Sequence, residues 1–355
     1  MTRAMKTAAF RERGLSLIEL LIAMTLGLAT VGAAGWVYLG AAQTYRSQDG
    51  LARMQEGARA VFELISYDLR MAGNTGCSYT TNVNVVNNFS TTWYKNLNLQ
   101  PLSSVEKDGS TGTVTEFSDA LRILHADNSK EYLVSSHNTA TSTLTLSATH
   151  DITPGTLLVA TDCVHYATFQ AVTAGGTTLT HTAGGSSNTS ANLGVSSAVY
   201  GFPANARIYR VHSVMYYVAN NAAGIRSLYR QRPIAVGGVP TLTTEELIEG
   251  VEDMQVSYSV DTTATADGAP DFVDPDSDGD PYLTAAQFTA GNVPGATAED
   301  RWARAVSARV TLLMRSVDNN IIPISQRYTY NGSSSTPTDR RLRKVFTHVV
   351  KLRNR

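Results

Sequence analysis

Cysteine is scarce in this chain: of 355 residues only Cys77 and Cys163 are cysteine, and their spacing suggests no metal site. Catalytic signatures are missing as well. No G-x-S-x-G, H-E-x-x-H or Walker A pattern occurs, and the seven histidines, at 125, 137, 150, 165, 181, 212 and 348, lack metal-ligand spacing. The reading is therefore a non-enzymatic protein. A membrane-anchored periplasmic enzyme or binding protein is the alternative from another class, and it would require a cleft chemistry that the sequence does not supply. Charge is sparse too, at 17% of residues, and 29 basic residues stand against 30 acidic ones. That balance argues against wholesale nucleic-acid binding. Richness in Ser, Thr, Asn and Gly points to an extracytoplasmic β protein, and no tandem repeat is present.

What the chain does have is one long apolar run, Leu15 to Ala42, whose only charge is Glu19. About 20 apolar residues suffice to cross a bilayer. The preceding stretch, "MTRAMKTAAFRERG", carries Arg3, Lys6, Arg11 and Arg13 against Glu12. Basic flanks stay in the cytoplasm, so the rest of the chain is expected outside the inner membrane. No small-residue signal-peptidase site follows the run; Gly14 precedes it instead. A carboxylate inside a span is costly and needs a partner. Cleavage between Gly14 and Leu15 would create an α-amine on Leu15, about one helical turn from Glu19. That amine, on this chain or a neighbouring subunit, is a counter-charge for Glu19. In the other reading the anchor stays uncut and Glu19 snorkels towards the headgroups.

Past the run, residues 43–72 turn amphipathic. Leu51, Met54, Ala58, Val61, Ile65 and Leu69 recur at helical spacing, and Asp49 and Arg53 stand in the favoured i,i+4 order. Gly73 and Asn74 supply a stop. One helix over 15–72 is a filament-subunit layout, since a plain anchor has no need of the second half. Alternation then predicts strands at 120–127, 142–148, 156–161, 303–316 and 344–353, with a hairpin from 207–220 and 225–232. Long Gly-, Ala-, Ser- and Thr-rich loops are expected at 173–197 and 262–300. In an oxidising periplasm Cys77 and Cys163 should pair.

The stretch "RGLSLIELLIAM" resembles the type III signal of type IV pilins and type II secretion pseudopilins: a short basic leader, a Gly, a hydrophobic residue, and Glu fifth in the mature chain. The resemblance implies cleavage after Gly14 by a membrane prepilin peptidase and N-methylation of Leu15. Leu15 stands where Phe is commoner, and Trp36 where many major pilins have a kinking Pro. The end of the helix, "DLRMAGNTGC" at 68–77, is similar to PilW-type minor pilins. "LIEGVEDMQVSYSVD" (247–261) resembles that family's later helix-to-strand passage, and "VVKLRNR" its C-terminus. The implied fold is α+β and pilin-like: leader 1–14, helix 15–72 with 15–42 transmembrane, and a β-rich head over 73–355. The implied function is a minor pilin that primes type IV pilus assembly and sits at the tip. Its partners would be other minor pilins, the major pilin, a tip adhesin, the prepilin peptidase and the inner-membrane assembly platform. A J-type type II secretion pseudopilin shares the signal and layout and is the alternative.

One local motif stands apart from this likeness. In "DPDSDGDPY" (274–282), Asp274, Asp276 and Asp278 occupy positions 1, 3 and 5 of a calcium loop, with Gly279 at its turn and Asp280 next to it. The Glu expected at position 12 is Ala285, so the two readings are a weak Ca²⁺ site and a solvated acidic loop. The basic ending, from Arg340 to Arg355, reads as the solvated face of an edge strand rather than a DNA-binding surface.

Overall fold

The computed structural model describes residues 16–196, 198–263, 268–275 and 279–353. It opens on α1 (Leu17–Met71), a 55-residue helix about 82 Å long at ideal rise. Ser16 caps it in a reciprocal box: the Glu19 amide donates to Ser16 Oγ at 3.2 Å, and the Ser16 amide donates to Glu19 Oε2 at 3.1 Å. The helix ends at Ala72, and Gly73 turns away at φ 73°, which favours glycine. The Gly73 amide then donates to the Leu124 carbonyl, joining the end of the helix to the head.

The head continues through β1 (Thr81–Asn84), a single 3-10 turn (Trp93–Lys95), β2 (Leu102–Val105), β3 (Ala120–Asn138), β4 (Thr143–Leu146) and β5 (Leu157–Thr161). Next come β6 (His165–Gln170), β7 (Thr173–Gly175), β8 (Thr178–Thr180), β9 (Arg207–Asn220), β10 (Arg226–Val236), β11 (Val239–Glu249) and β12 (Val251–Val260). Two short helices, α2 (Ala285–Thr289) and α3 (Ala298–Trp302), precede β13 (Ala305–Arg315), β14 (Tyr328–Tyr330), β15 (Ser333–Ser335) and β16 (Arg343–Lys351).

β9 is the axis of the large sheet. It pairs with β3 along one edge, and its other edge is shared by β5 at 207–210 and β10 at 215–220. The long β3 likewise serves two wings, pairing with β2 at 120–123 and with β9 between 121 and 133, and then with β4 from Val134 to Asn138. A separate antiparallel sheet runs β12–β13–β16. The stripe Met54, Ala58, Val61, Ile65 and Leu69 of α1 is buried against residues of both sheets. Met54, Val61, Ile65 and Leu69 each contribute about 1.5–3 kcal/mol before the entropy cost of ordering. A second core lies within the large sheet's other wing and includes Val134, Leu144, Leu158, Phe169, Leu179 and Ile208.

The expected α+β class and the long helix on a β-rich head are what the molecule adopts. The helix-to-strand passage expected at 247–261 is different: residues 247–249 end β11, Gly250 turns at φ 83°, and β12 follows. Hairpin pairing explains the difference. Gly237 and Gly238, both at positive φ, form a two-residue turn that returns β11 along β10, so the backbone of 239–249 is hydrogen-bonded across strands instead of along a helix. A Cβ on Gly250 would also lie 2.6 Å from the Arg315 carbonyl oxygen. The two long loops carry some structure of their own: β7 and β8 pair within 173–197, and capping boxes at Thr284 and Thr297 start α2 and α3 within 262–300.

Candidate assembly interface and associated sites

Among the described residues, none of the head packs over residues 17–41 of α1. Residues 17–41 are exposed throughout, with Trp36 at 83% exposure, although the segment is long and apolar enough to cross a membrane. Contact with the head begins at Gln43 and Ser47, whose side chains donate to the Ile321 carbonyl, the latter at 2.8 Å. An exposed apolar surface of this length belongs in lipid or against other helices. Its one carboxylate, Glu19, lies in the first turn, where the helix dipole favours an anion. Glu19 Oε2 already accepts the Ser16 amide, and a carboxylate has lone pairs for further donors. The cleavage pair Gly14 and Leu15 lies outside the described residues, and with it the α-amine expected on Leu15.

Cys77 and Cys163 are joined, with Cα atoms 5.3 Å apart. The bridge ties the segment just after α1 to the turn between β5 and β6. Closing a loop this long is worth about 4–5 kcal/mol in the chain-entropy model.

Asp276 and Asp278 lie outside the described residues. Asp274 accepts the Gly279 amide at 2.9 Å, and Asp280 receives both terminal nitrogens of Arg309. Burial pushes the Asp280 carboxyl up, but Arg309 outweighs this and holds it below its usual range. The Asp280 carboxylate is thus engaged by a cation of the protein itself, which leaves its backbone carbonyl as the calcium donor considered for it.

Sequence reasoning missed two polar constellations. Arg343 is buried and holds Glu252 through Nε at 2.6 Å and Asp339 through Nη1 at 2.6 Å, so it is a structural residue and not part of a solvated basic face. Asp68, the first residue of the "DLRMAG" stretch, is buried and accepts the Tyr216 hydroxyl at 2.6 Å. The signal for the second was a charge placed among apolar helix positions, Ile65 and Leu69, that face the core.

Residues 215–354 match the family model described as type IV pilus-assembly protein W, PilW. No curated protein and no solved structure matches the chain. The match runs from within β9 through β16, taking in the three-stranded sheet that packs on α1 and leaving out the whole of the second core. Residues 215–354 are thus similar to the type IV pilus-assembly protein W family, and this likeness supports involvement in type IV pilus assembly.

Proposed function

We propose that the chain is a minor pilin that helps prime pilus assembly and sits at the pilus tip with other minor pilins and a tip adhesin, above the major pilin. One observation carries the reading: a continuous helix whose second half is docked in the head, while its first half presents apolar side chains and a single carboxylate to whatever surrounds it. Before assembly that surrounding is the inner membrane, with the head in the periplasm. After processing by the prepilin peptidase, the assembly platform draws the helix from lipid into a bundle of like helices. Glu19 then meets the terminal amine of a neighbour, so the carboxylate stays paired as it leaves the membrane surface. No catalytic step is needed.

Glu19→Ala tests this directly. The variant should be cut normally, because Glu19 lies downstream of Gly14, and immunoblots of membranes should show a mature-size band. Pilus number should fall several-fold. Wild-type piliation with this variant would end the charge-pairing account. The J-type pseudopilin reading shares the helix and makes a different prediction: deletion of the chain would abolish exoenzyme secretion and leave pili intact.

A further inference from the structure

Three metal-ligating side chains that are far apart in sequence converge where α1 meets the large sheet. His125 of β3 and His212 of β9 are directly opposite in the antiparallel register, and their rings lie 4.7 Å apart, splayed by 29°. Both Nε2 atoms lie 3.7 Å from the same oxygen, Oδ1 of Asp68. That is too far for a hydrogen bond. Neither Nε2 has a hydrogen-bond partner among the described residues, and His125 is only 2% exposed.

The tautomer of His125 sharpens the problem. Its Nδ1 lies 2.8 Å from the Ala126 carbonyl, which can only accept, so Nδ1 carries the proton. In the neutral ring, Nε2 then presents a lone pair to a carboxylate oxygen. Asp68 is itself held in place by Tyr216, which donates to its other oxygen, Oδ2. Asp127, two residues along β3, and the edge of the Tyr67 ring also face His125, and Arg230 lies beside the Tyr216 hydroxyl. Among the described residues the only ion-pair partners of Asp68 are the two imidazoles. One imidazolium beside one neutral ring would compensate Asp68 by charge alone, with neither Nε2 hydrogen-bonded to the carboxylate at 3.7 Å. A divalent cation neutralises the carboxylate and also takes up both ring lone pairs as ligands.

We propose that Asp68, His125 and His212 bind one divalent transition-metal ion of the zinc class. All three ligand atoms lie within 4.8 Å of one another, with each Nε2 at 3.7 Å from Asp68 Oδ1, so the three side chains draw closer to reach the usual ligand distance of about 2.0–2.2 Å from a common centre. Two nitrogens and one oxygen suit Zn²⁺ or Co²⁺ and disfavour Ca²⁺ or Mg²⁺. The Tyr216 hydroxyl on Asp68 and the Ala126 carbonyl on His125 supply the outer hydrogen bonds that orient metal ligands. His212, whose side chain is 26% exposed, lies towards solvent, which leaves room for water as the fourth ligand. The ion would fasten the last turn of the assembly helix to the centre of the sheet. The other close pair, His137 and His181, is not a rival, because their Nε2 atoms bond each other at 2.9 Å and His137 Nδ1 accepts the Phe202 amide.

The test uses the full-length chain in detergent, purified without a histidine tag and stripped with chelator. Titration with Co²⁺ should give visible ligand-field bands that saturate at one ion per chain and vanish on adding Zn²⁺, and Zn²⁺ should raise the melting temperature. His212→Gln should weaken binding at least tenfold and abolish the thermal shift. Absence of Co²⁺ uptake by the folded wild-type chain, or equal uptake by His212→Gln, overturns the proposal. Should the variant fail to fold, X-ray absorption on the zinc-loaded wild type decides. Two imidazole nitrogens in the nearest shell support the site, and an all-oxygen shell, as the aspartate loop would give, overturns it.

Discussion

Single residues in this head are tuned by burial in ways that pH should reveal. His181 is fully buried, and burial first, then the neighbouring His137, pushes its imidazole down to about 4. Because His137 Nδ1 accepts the Phe202 amide, its Nε2–H donates to His181 Nε2, and both rings are neutral. A histidine with a depressed folded value binds fewer protons than its unfolded counterpart. Its contribution is therefore complete above about pH 6.5 and is lost as pH falls towards 4, to the order of 3 kcal/mol. Denaturation of wild type and His181→Gln side by side at pH 7, 5.5 and 4 checks this: the wild type should lose stability relative to the variant across that window. Parallel profiles would remove the neutral pair from the account. Some residue-level features were legible in the sequence. The Asp49–Arg53 pair forms at 2.9 Å as the i,i+4 spacing implies, and the two cysteines are bonded. The His125–His212 pairing was not legible, because it depends on the register of two strands more than eighty residues apart, which no local spacing encodes.

At the scale of elements, the helix was the most readable part. Its apolar stripe is the buried stripe, since a 3.6-residue period marks one face whatever it packs on. β9 spans Arg207–Asn220 as the alternation suggested, and β10 extends past the expected 225–232 to Val236. β6, "HYATFQ", was missed because every one of its residues is buried, including His165 and Gln170, so no polar face marks it. β11 was missed although Gly237–Gly238 between the runs "IAV" and "VPTLTT" is a hairpin signal. Its last residues fall in the stretch likened to a helix-to-strand passage, whereas in the fold the element is a strand whose Glu245 pairs with Arg230 across the ladder. β11 also comes close to the helix: a Cβ on Gly57 would lie 2.3 Å from the Ile248 Cδ1 methyl. That methyl is the end of a flexible side chain, so it can yield to a small substituent. Gly57→Ala should be near neutral, because the helix gains about 1 kcal/mol from replacing glycine. Gly57→Leu should destabilise the head by about 1–3 kcal/mol through overpacking. Thermal melts of the two variants give the comparison, and equal melting temperatures would mean that β11 does not press on the helix.

The whole molecule divides by solvent. Residues 17–41 of α1 are exposed and apolar, and from Gln43 onwards the same helix is bound to the head by hydrogen bonds to Ile321 and by the buried stripe from Met54 to Leu69. That boundary was readable from composition, because the apolar run ends at Ala42 where Gln43 and Thr44 begin. The division of the head into two cores was not, because β3 and β9 each serve both wings of one sheet, and a strand shared between cores reads as one alternating run. No core contact comes from the exposed half of the helix, so the head's stability should not depend on it. A chain beginning at residue 43 should therefore be soluble without detergent, keep the Cys77–Cys163 bridge, and melt within a few degrees of the full-length protein. The remaining helical piece, 43–71, is still about 43 Å long and keeps every buried position of α1. Near-UV circular dichroism and a non-reducing peptide map of the truncated chain measure this. A truncated chain that aggregates or melts much earlier would mean that the apolar half supports the head as well as anchoring it, and the separation of membrane and head roles along one helix would fail.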